Sequence, residues 1–199
     1  MFMGVTMGRF ICGWFCPFGL FQELLNKIPS PKFTIGKKFE KLKYLKYLIL
    51  LIFVILLPVF YVNDMKIGTP TFCKYICAAG TLQAGIPLTI LNTSLRSAVG
   101  FLFAWKLTLF IITIILSIIT FRPFCRFICP LGAIYSLFNP ISIYRLKLNK
   151  DKCTACGAYT KICPMDIDVY KNPNNLECIR CGECIKACSQ NALKVSIKN

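Results

Sequence analysis

The chain has 199 residues, 56% of them hydrophobic, with a mean hydropathy of +0.61 and a formal net charge of +16. That apolar share exceeds a soluble domain's and points to a membrane protein. Histidine is absent, which excludes His-ligated haem and any C-x-x-C-H haem attachment.

The charge is uneven. Residues 1–149 hold 16 Lys and Arg against three acids, whereas residues 150–199 hold eight against five. The boundary at 149/150 therefore separates a basic, apolar membrane domain from a soluble tail. No nucleic-acid-binding motif accompanies the positive charge, which flanks apolar runs. Orientation in a bilayer is the expectation, with no nucleic-acid partner.

Met1 to Phe21 is apolar with Arg9 as its only charge. It lacks the basic start and small-residue cleavage site of a signal peptide. Eleven residues before Cys12 are too few to cross a bilayer, which takes about 20. The stretch reads as the stub of a longer spanning helix or as a segment lying along the membrane.

Lys27, Lys32, Lys37, Lys38, Lys41, Lys43 and Lys46, against Glu40 alone, precede the uncharged run Tyr47 to Val62. Basic flanks mark the cytoplasmic side. The run spans a bilayer if Lys43 and Lys46 snorkel, and Pro58 is expected to kink it. A second run, Ala98 to Phe121, contains only Lys106 and ends at Arg122 and Arg126. As a helix it reaches about 36 Å, enough to span with some tilt. Two crossings return the chain to the cytoplasmic side. Between them Ala78 to Leu91, interrupted by Gly85 and Pro87, reads as re-entrant or membrane-associated.

A motif recurs through this part. Arg9-Phe-Ile-Cys12-Gly-Trp-Phe-Cys16-Pro17-Phe-Gly19 matches Arg122-Pro-Phe-Cys125-Arg-Phe-Ile-Cys129-Pro130-Leu-Gly132, the first and third copies in chain order, and Cys73-Lys-Tyr-Ile-Cys77-Ala78-Ala-Gly80 between them is the second, with alanine for proline. Cysteines four apart share one face if the segment is helical. Proline directly after the second cysteine suits the first position of a new helix, which puts Cys16 and Cys129 at its N-terminal cap. The helix dipole, with Arg9 or Arg122 nearby, would favour a thiolate or an anionic cluster there. Cys12, Cys16, Cys125 and Cys129 together make the four thiolates of a cubane. They are expected to form a membrane-surface redox site, either iron-sulfur or a dithiol/disulfide relay. Cys73 and Cys77 read as a disulfide, a metal site or an inert pair.

The tail carries seven of the 13 cysteines. Cys178-Ile-Arg-Cys181-Gly-Glu-Cys184-Ile-Lys-Ala-Cys188 is C-x2-C-x2-C-x3-C, the bacterial ferredoxin run, whose fourth cysteine ligates the other cluster. Cys153-Thr-Ala-Cys156, Tyr159 and Cys163-Pro164 repeat it with tyrosine in the third place. Crossover then assigns Cys163, Cys178, Cys181 and Cys184 to a complete [4Fe-4S] site. Cys153, Cys156 and Cys188 form a site one thiolate short, for a second [4Fe-4S] or a [3Fe-4S] cluster. Zinc would use paired C-x2-C units but has no role for a third cysteine, and the spacing does not suit a disulfide framework. Ser189 replaces the usual proline after the last cysteine.

Two C-x-x-x-C-P motifs at membrane-helix ends, followed by a two-run ferredoxin module, resemble the membrane 4Fe-4S proteins of the NapH-like and NosR-like type. The resemblance implies a multi-pass protein of the cell membrane, with its ferredoxin domain cytoplasmic and with redox protein partners. It also implies redox or cluster work for Cys12, Cys16, Cys125 and Cys129. The expected fold is mostly α, with about two transmembrane helices, membrane-associated or re-entrant segments and a small α+β ferredoxin-like C-terminal domain whose short strands flank the cluster runs, Val195 to Ile197 being one.

No general acid/base constellation, phosphate-binding loop or dinucleotide fingerprint is present. The expected function is electron transfer between a cytoplasmic donor and a membrane or extracytoplasmic redox partner. A metal or disulfide reductase built on the C-x-x-x-C pairs and an iron-sulfur redox sensor are the alternatives.

Overall fold

The computed structural model describes residues 2–31, 42–60, 71–91, 100–154 and 156–197. The basic stretch around Lys32, Lys37, Lys38 and Lys41 lies outside the described residues, as do Val62 and Ala98. In chain order the helices are α1 (Phe2–Met7), α2 (Phe10–Trp14), α3 (Pro17–Asn26), α4 (Leu42–Phe60), α5 (Thr71–Tyr75), α6 (Ala78–Leu91), α7 (Phe101–Ile119), α8 (Pro123–Phe127), α9 (Pro130–Phe138), α10 (Ala158–Ile162) and α11 (Glu183–Lys186). Strand β1 (Tyr144–Leu148) lies between α9 and α10, and β2 (Leu193–Ile197) follows α11.

The three C-x-x-x-C copies fold alike. In each, a short helix ends two residues before the second cysteine, whose N–H bonds five residues back: Cys16 to the Ile11 carbonyl (3.1 Å), Cys77 to Phe72 (3.1 Å) and Cys129 to Phe124 (2.9 Å). A new helix starts on the next residue, Pro17, Ala78 or Pro130. The prolines start helices as their missing N–H dictates. The cysteines do not share one continuous helix, because the first belongs to the old helix and the second sits at the break.

Helices α4 and α7, of 19 residues each, are long and apolar enough to cross a membrane, with mean hydropathies of 2.2 and 2.4. Residues Leu50–Leu56 of α4 and Thr81–Gly85 of α6 are wound as π-helix. Both stretches lie just ahead of a proline, Pro58 or Pro87, whose absent N–H breaks the regular ladder four residues back. Lys46 is fully buried with its ammonium 5.1 Å from the centre of the Tyr47 ring. It does not snorkel outward.

The chain divides into two compact units. One is built on Met1–Leu20 and Leu131–Asn199. Its β1 and β2 pair antiparallel, with Leu146 opposite Val195 and Leu148 opposite Leu193. Leu146, Tyr159, Val169, Cys184 and Leu193 form its core, with Cys153, Cys178, Ile185 and Cys188 packed against them. The strand expected at 195–197 is thus the end of a longer one that closes the cluster region.

The second unit is built on Phe21–Phe33 and Lys41–Pro130. Here Asn26 Nδ2 and Ser30 Oγ donate to the carbonyls of Ser117 (3.1 Å) and Ile118 (3.0 Å), satisfying acceptors that the end of α7 leaves open. Phe21 stacks on Phe110 with ring centres 6.2 Å apart. Arg122, at φ 47°, turns the chain sharply from α7 into α8.

Candidate metal centre

Each cluster run of the tail becomes the same local structure. Gly157 and Gly182 take the left-handed conformation, at φ 71° and 86°, directly after Cys156 and Cys181. A short helix follows each. Without a Cβ this turn costs little, and it aims the residue two positions later inward. That residue is Tyr159 in the first run and Cys184 in the second, 5% and 8% exposed.

Cys163, Cys178, Cys181 and Cys184 line one cavity, together with Pro164, Met165, Ile167 and Val169. Burial pushes the Cys178 thiol up to about 11 and Cys184 to about 12. The neighbouring thiols, Cys163 among them, push the same way. Cys181 is raised for the same first cause. Such thiols keep their protons until a metal displaces them. Among the described residues no three Cys, Asp or Glu side chains are gathered closely enough to hold a single metal ion.

Cys153, Cys156 and Cys188 line a second cavity with Tyr159 and Ala192. The Tyr159 hydroxyl lies 3.0 Å from Cys188 Sγ, and the Ala192 N–H donates to the same sulfur at 3.2 Å. The tyrosine hydrogen bond lowers the Cys188 thiol, while burial and then the thiols of Cys188 and Cys153 hold the phenol above its usual value.

The first C-x-x-x-C copy packs against this tail. Gly13 is buried, and a Cβ there would come within 2.6 Å of the Ile179 carbonyl oxygen. Only glycine lets α2 lie so close to the loop between Cys178 and Cys181. A polar network binds the same loop. Arg9 donates to Glu177 Oε2 (2.9 Å) and to the Leu176 carbonyl (3.2 Å), and its backbone N–H donates to Asn139 Oδ1 (3.0 Å). Asn139 Nδ2 reaches the carbonyls of Asn175 (3.0 Å) and Cys178 (2.7 Å). Arg180 bonds the Met7 carbonyl (2.9 Å) and Ser142 Oγ (2.7 Å). Gly8, at φ 57°, has no room for a Cβ, which would stand 2.4 Å from Asn139 Oδ1.

In the second unit Gln22 grips the third copy. Its Oε1 accepts from the Phe124 N–H at 3.2 Å and its Nε2 donates to Cys125 Sγ at 3.3 Å. Arg122 pairs with Glu23. The guanidinium groups of Arg9 and Arg122, expected near a thiolate or cluster, form ion pairs with Glu177 and Glu23. Cys12 and Cys16 belong to the first unit, Cys125 and Cys129 to the second. Cys73 is exposed, Cys77 half-buried, and both are free thiols, with Cys77 Sγ accepting from the Gly80 N–H at 3.3 Å. Asn139, Glu177 and Gln22 were missed. Nothing marks them in sequence except that Glu177 directly precedes Cys178 and that Gln22 and Glu23 are, with Asn26, the polar residues of an otherwise apolar helix.

The family model for a 4Fe-4S binding domain matches residues 1–36, 47–87 and 102–150, each segment holding one C-x-x-x-C copy, and that for a 4Fe-4S dicluster domain matches residues 142–199. The chain belongs to the 4Fe-4S binding protein family. It binds at least one [4Fe-4S] cluster. Similar proteins include the uncharacterized protein MJ0750 of Methanocaldococcus jannaschii, 33% identical over 197 residues that make up 96% of this chain and 74% of that one. YccM of Escherichia coli, provisionally described as an electron transport protein, is 23% identical over 190 residues, 94% of this chain and 50% of that one. Regulatory protein NosR of Stutzerimonas stutzeri is 26% identical over 187 residues, 87% of this chain and 22% of that one. The chain thus spans about two thirds to three quarters of the length of its Methanocaldococcus relatives and half or less of the other two. No solved structure matches it.

Proposed function

We propose that the chain is a membrane-anchored electron conduit, with a complete cluster site at Cys163, Cys178, Cys181 and Cys184 and a second site at Cys153, Cys156 and Cys188. The donor set fits. Four thiols line one cavity, the number a cubane needs, in the ferredoxin spacing rather than the paired C-x2-C units of a zinc site. A cluster held there supplies one-electron uptake and release at a potential set by its charge, hydrogen bonds and exposure. The chain's own residues do the rest. Burial keeps water from Cys184, Asn139 and Arg9 fix the loop that carries Cys178, and the Tyr159 hydroxyl and the Ala192 N–H tune Cys188.

The observation that carries the conduit is the approach of α2 to Ile179, which sets the Cys12–Cys16 motif beside the loop of the complete site. Electrons leaving that site have these cysteines as neighbouring relays. The description of YccM as an electron transport protein is in keeping with this. Membrane anchoring is supported by α4 and α7, whose apolar faces are largely exposed: only 11% and 17% of their most apolar stretches are buried. A soluble protein's core helices would be covered. With the basic flanks cytoplasmic, the chain is multi-pass, residues 150–199 face the cytoplasm, and redox proteins there and in or across the membrane are the partners.

The test uses the full chain in liposomes enclosing ferricyanide, with dithionite reducing the tail from outside. Replacing Cys12 and Cys16 by serine is expected to leave reduction of the tail clusters unchanged and to abolish ferricyanide reduction. Undiminished ferricyanide reduction would contradict the relay. The exposed Cys73 thiol favours one second reading, a metal or disulfide reductase. That reading requires C73S with C77S to remove such reduction while electron delivery persists.

A further inference from the structure

The two runs of the tail place different residues in equivalent positions. Cys156-Gly157-Ala158-Tyr159 and Cys181-Gly182-Glu183-Cys184 share the left-handed glycine and the helix that follows, and their last residues lie in one core with Leu146, Val169 and Leu193. Cys184 turns its sulfur toward the thiols of Cys178, Cys181 and Cys163. Tyr159 turns its hydroxyl toward Cys188, 3.0 Å away, and toward Cys153. It reaches into the cavity that Cys153, Cys156 and Cys188 line.

The geometry points to Tyr159 as the cap of a three-iron site: its O–H donates to the Cys188 sulfur and fills the corner where a fourth thiolate would bring in a fourth iron. The inference rests on the iron-sulfur reading of the tail. The Tyr159 hydroxyl lies against the Cys188 sulfur, 3.0 Å away, and an O–H facing a thiolate donates to it. A thiolate held by the Tyr159 O–H and the Ala192 N–H together gives up less electron density to iron. This stabilises the reduced, more negative cluster and raises its potential. The site is therefore a [3Fe-4S] centre of fixed composition and raised potential beside a [4Fe-4S] centre, with one residue making the difference.

The test compares the full chain with Y159C and Y159F, all prepared anaerobically in detergent, by iron and sulfide analysis and redox-titrated EPR. The unsubstituted chain is expected to show the oxidised three-iron signal without exposure to oxidant. Y159C should lose that signal and gain about one iron per chain, as a restored third-place ligand requires. Y159F should keep both signal and iron content and shift the midpoint of the signal downward. Absence of a three-iron signal from the unsubstituted chain, or loss of iron in Y159F, would overturn the proposal, the second by making the tyrosine a ligand. Iron and sulfide missing from all three proteins would instead overturn the iron-sulfur reading beneath it.

Discussion

The first and third copies of the C-x-x-x-C motif share a backbone and differ in what they grip. In both, the second cysteine bonds five residues back and a proline opens the next helix. In both, the arginine ahead of the cysteines is buried and pairs with a glutamate. Arg9 reaches Glu177, 168 residues away and adjacent to Cys178, whereas Arg122 reaches Glu23 on α3. The residue after the first cysteine also differs. Gly13 admits the Ile179 carbonyl, and Arg126 stands at that place in the third copy. A repeated motif can thus keep its turn while its flanking residues decide whether it docks on the loop around Ile179 or on α3. The first copy is the docking copy.

The comparison can be broken at its glutamates and at its glycine. Glu177 has 9% of its side chain exposed against a fully buried Arg9, and removing one member of such a pair costs about 3–5 kcal/mol. Glu177→Ala is expected to lower the thermal midpoint of the full chain and to release iron from the tail at temperatures the parent withstands. Gly13→Ala forces a methyl group against backbone and should cost about 1–3 kcal/mol. Its sharper sign is slower electron transfer between the tail and an acceptor, with iron content unchanged. Glu23 is 40% exposed in its side chain, and Glu23→Ala should cost about 1 kcal/mol or less and leave iron content and potentials as they were. Equal losses for Glu177→Ala and Glu23→Ala, read as shifts in thermal midpoint, would erase the distinction between the two copies.

Much of this architecture is written locally. Pro17 and Pro130 announce helix starts because a missing N–H is harmless only there. The apolar runs give α4 and α7, and the cysteine spacing gives the two cavities of the tail. What sequence could not give depends on distant partners. The Arg9, Asn139, Glu177 and Arg180 network joins residues more than 100 apart, and no periodicity connects them. An arginine beside cysteines suggests a counter-ion for sulfur until its carboxylate is known. Lys46 looks like a snorkelling flank residue until the packing that buries it is seen. Tyr159 was visible as a departure from the ferredoxin run, but only the fold shows that its hydroxyl faces the Cys188 sulfur.

The account depends most on sulfur-held iron in the tail. The direct measurement is quantification of iron, acid-labile sulfide and zinc in the anaerobically purified full chain. Iron and sulfide in nearly equal amounts, with zinc absent, is the predicted result. Tightly bound zinc with neither iron nor sulfide would contradict it.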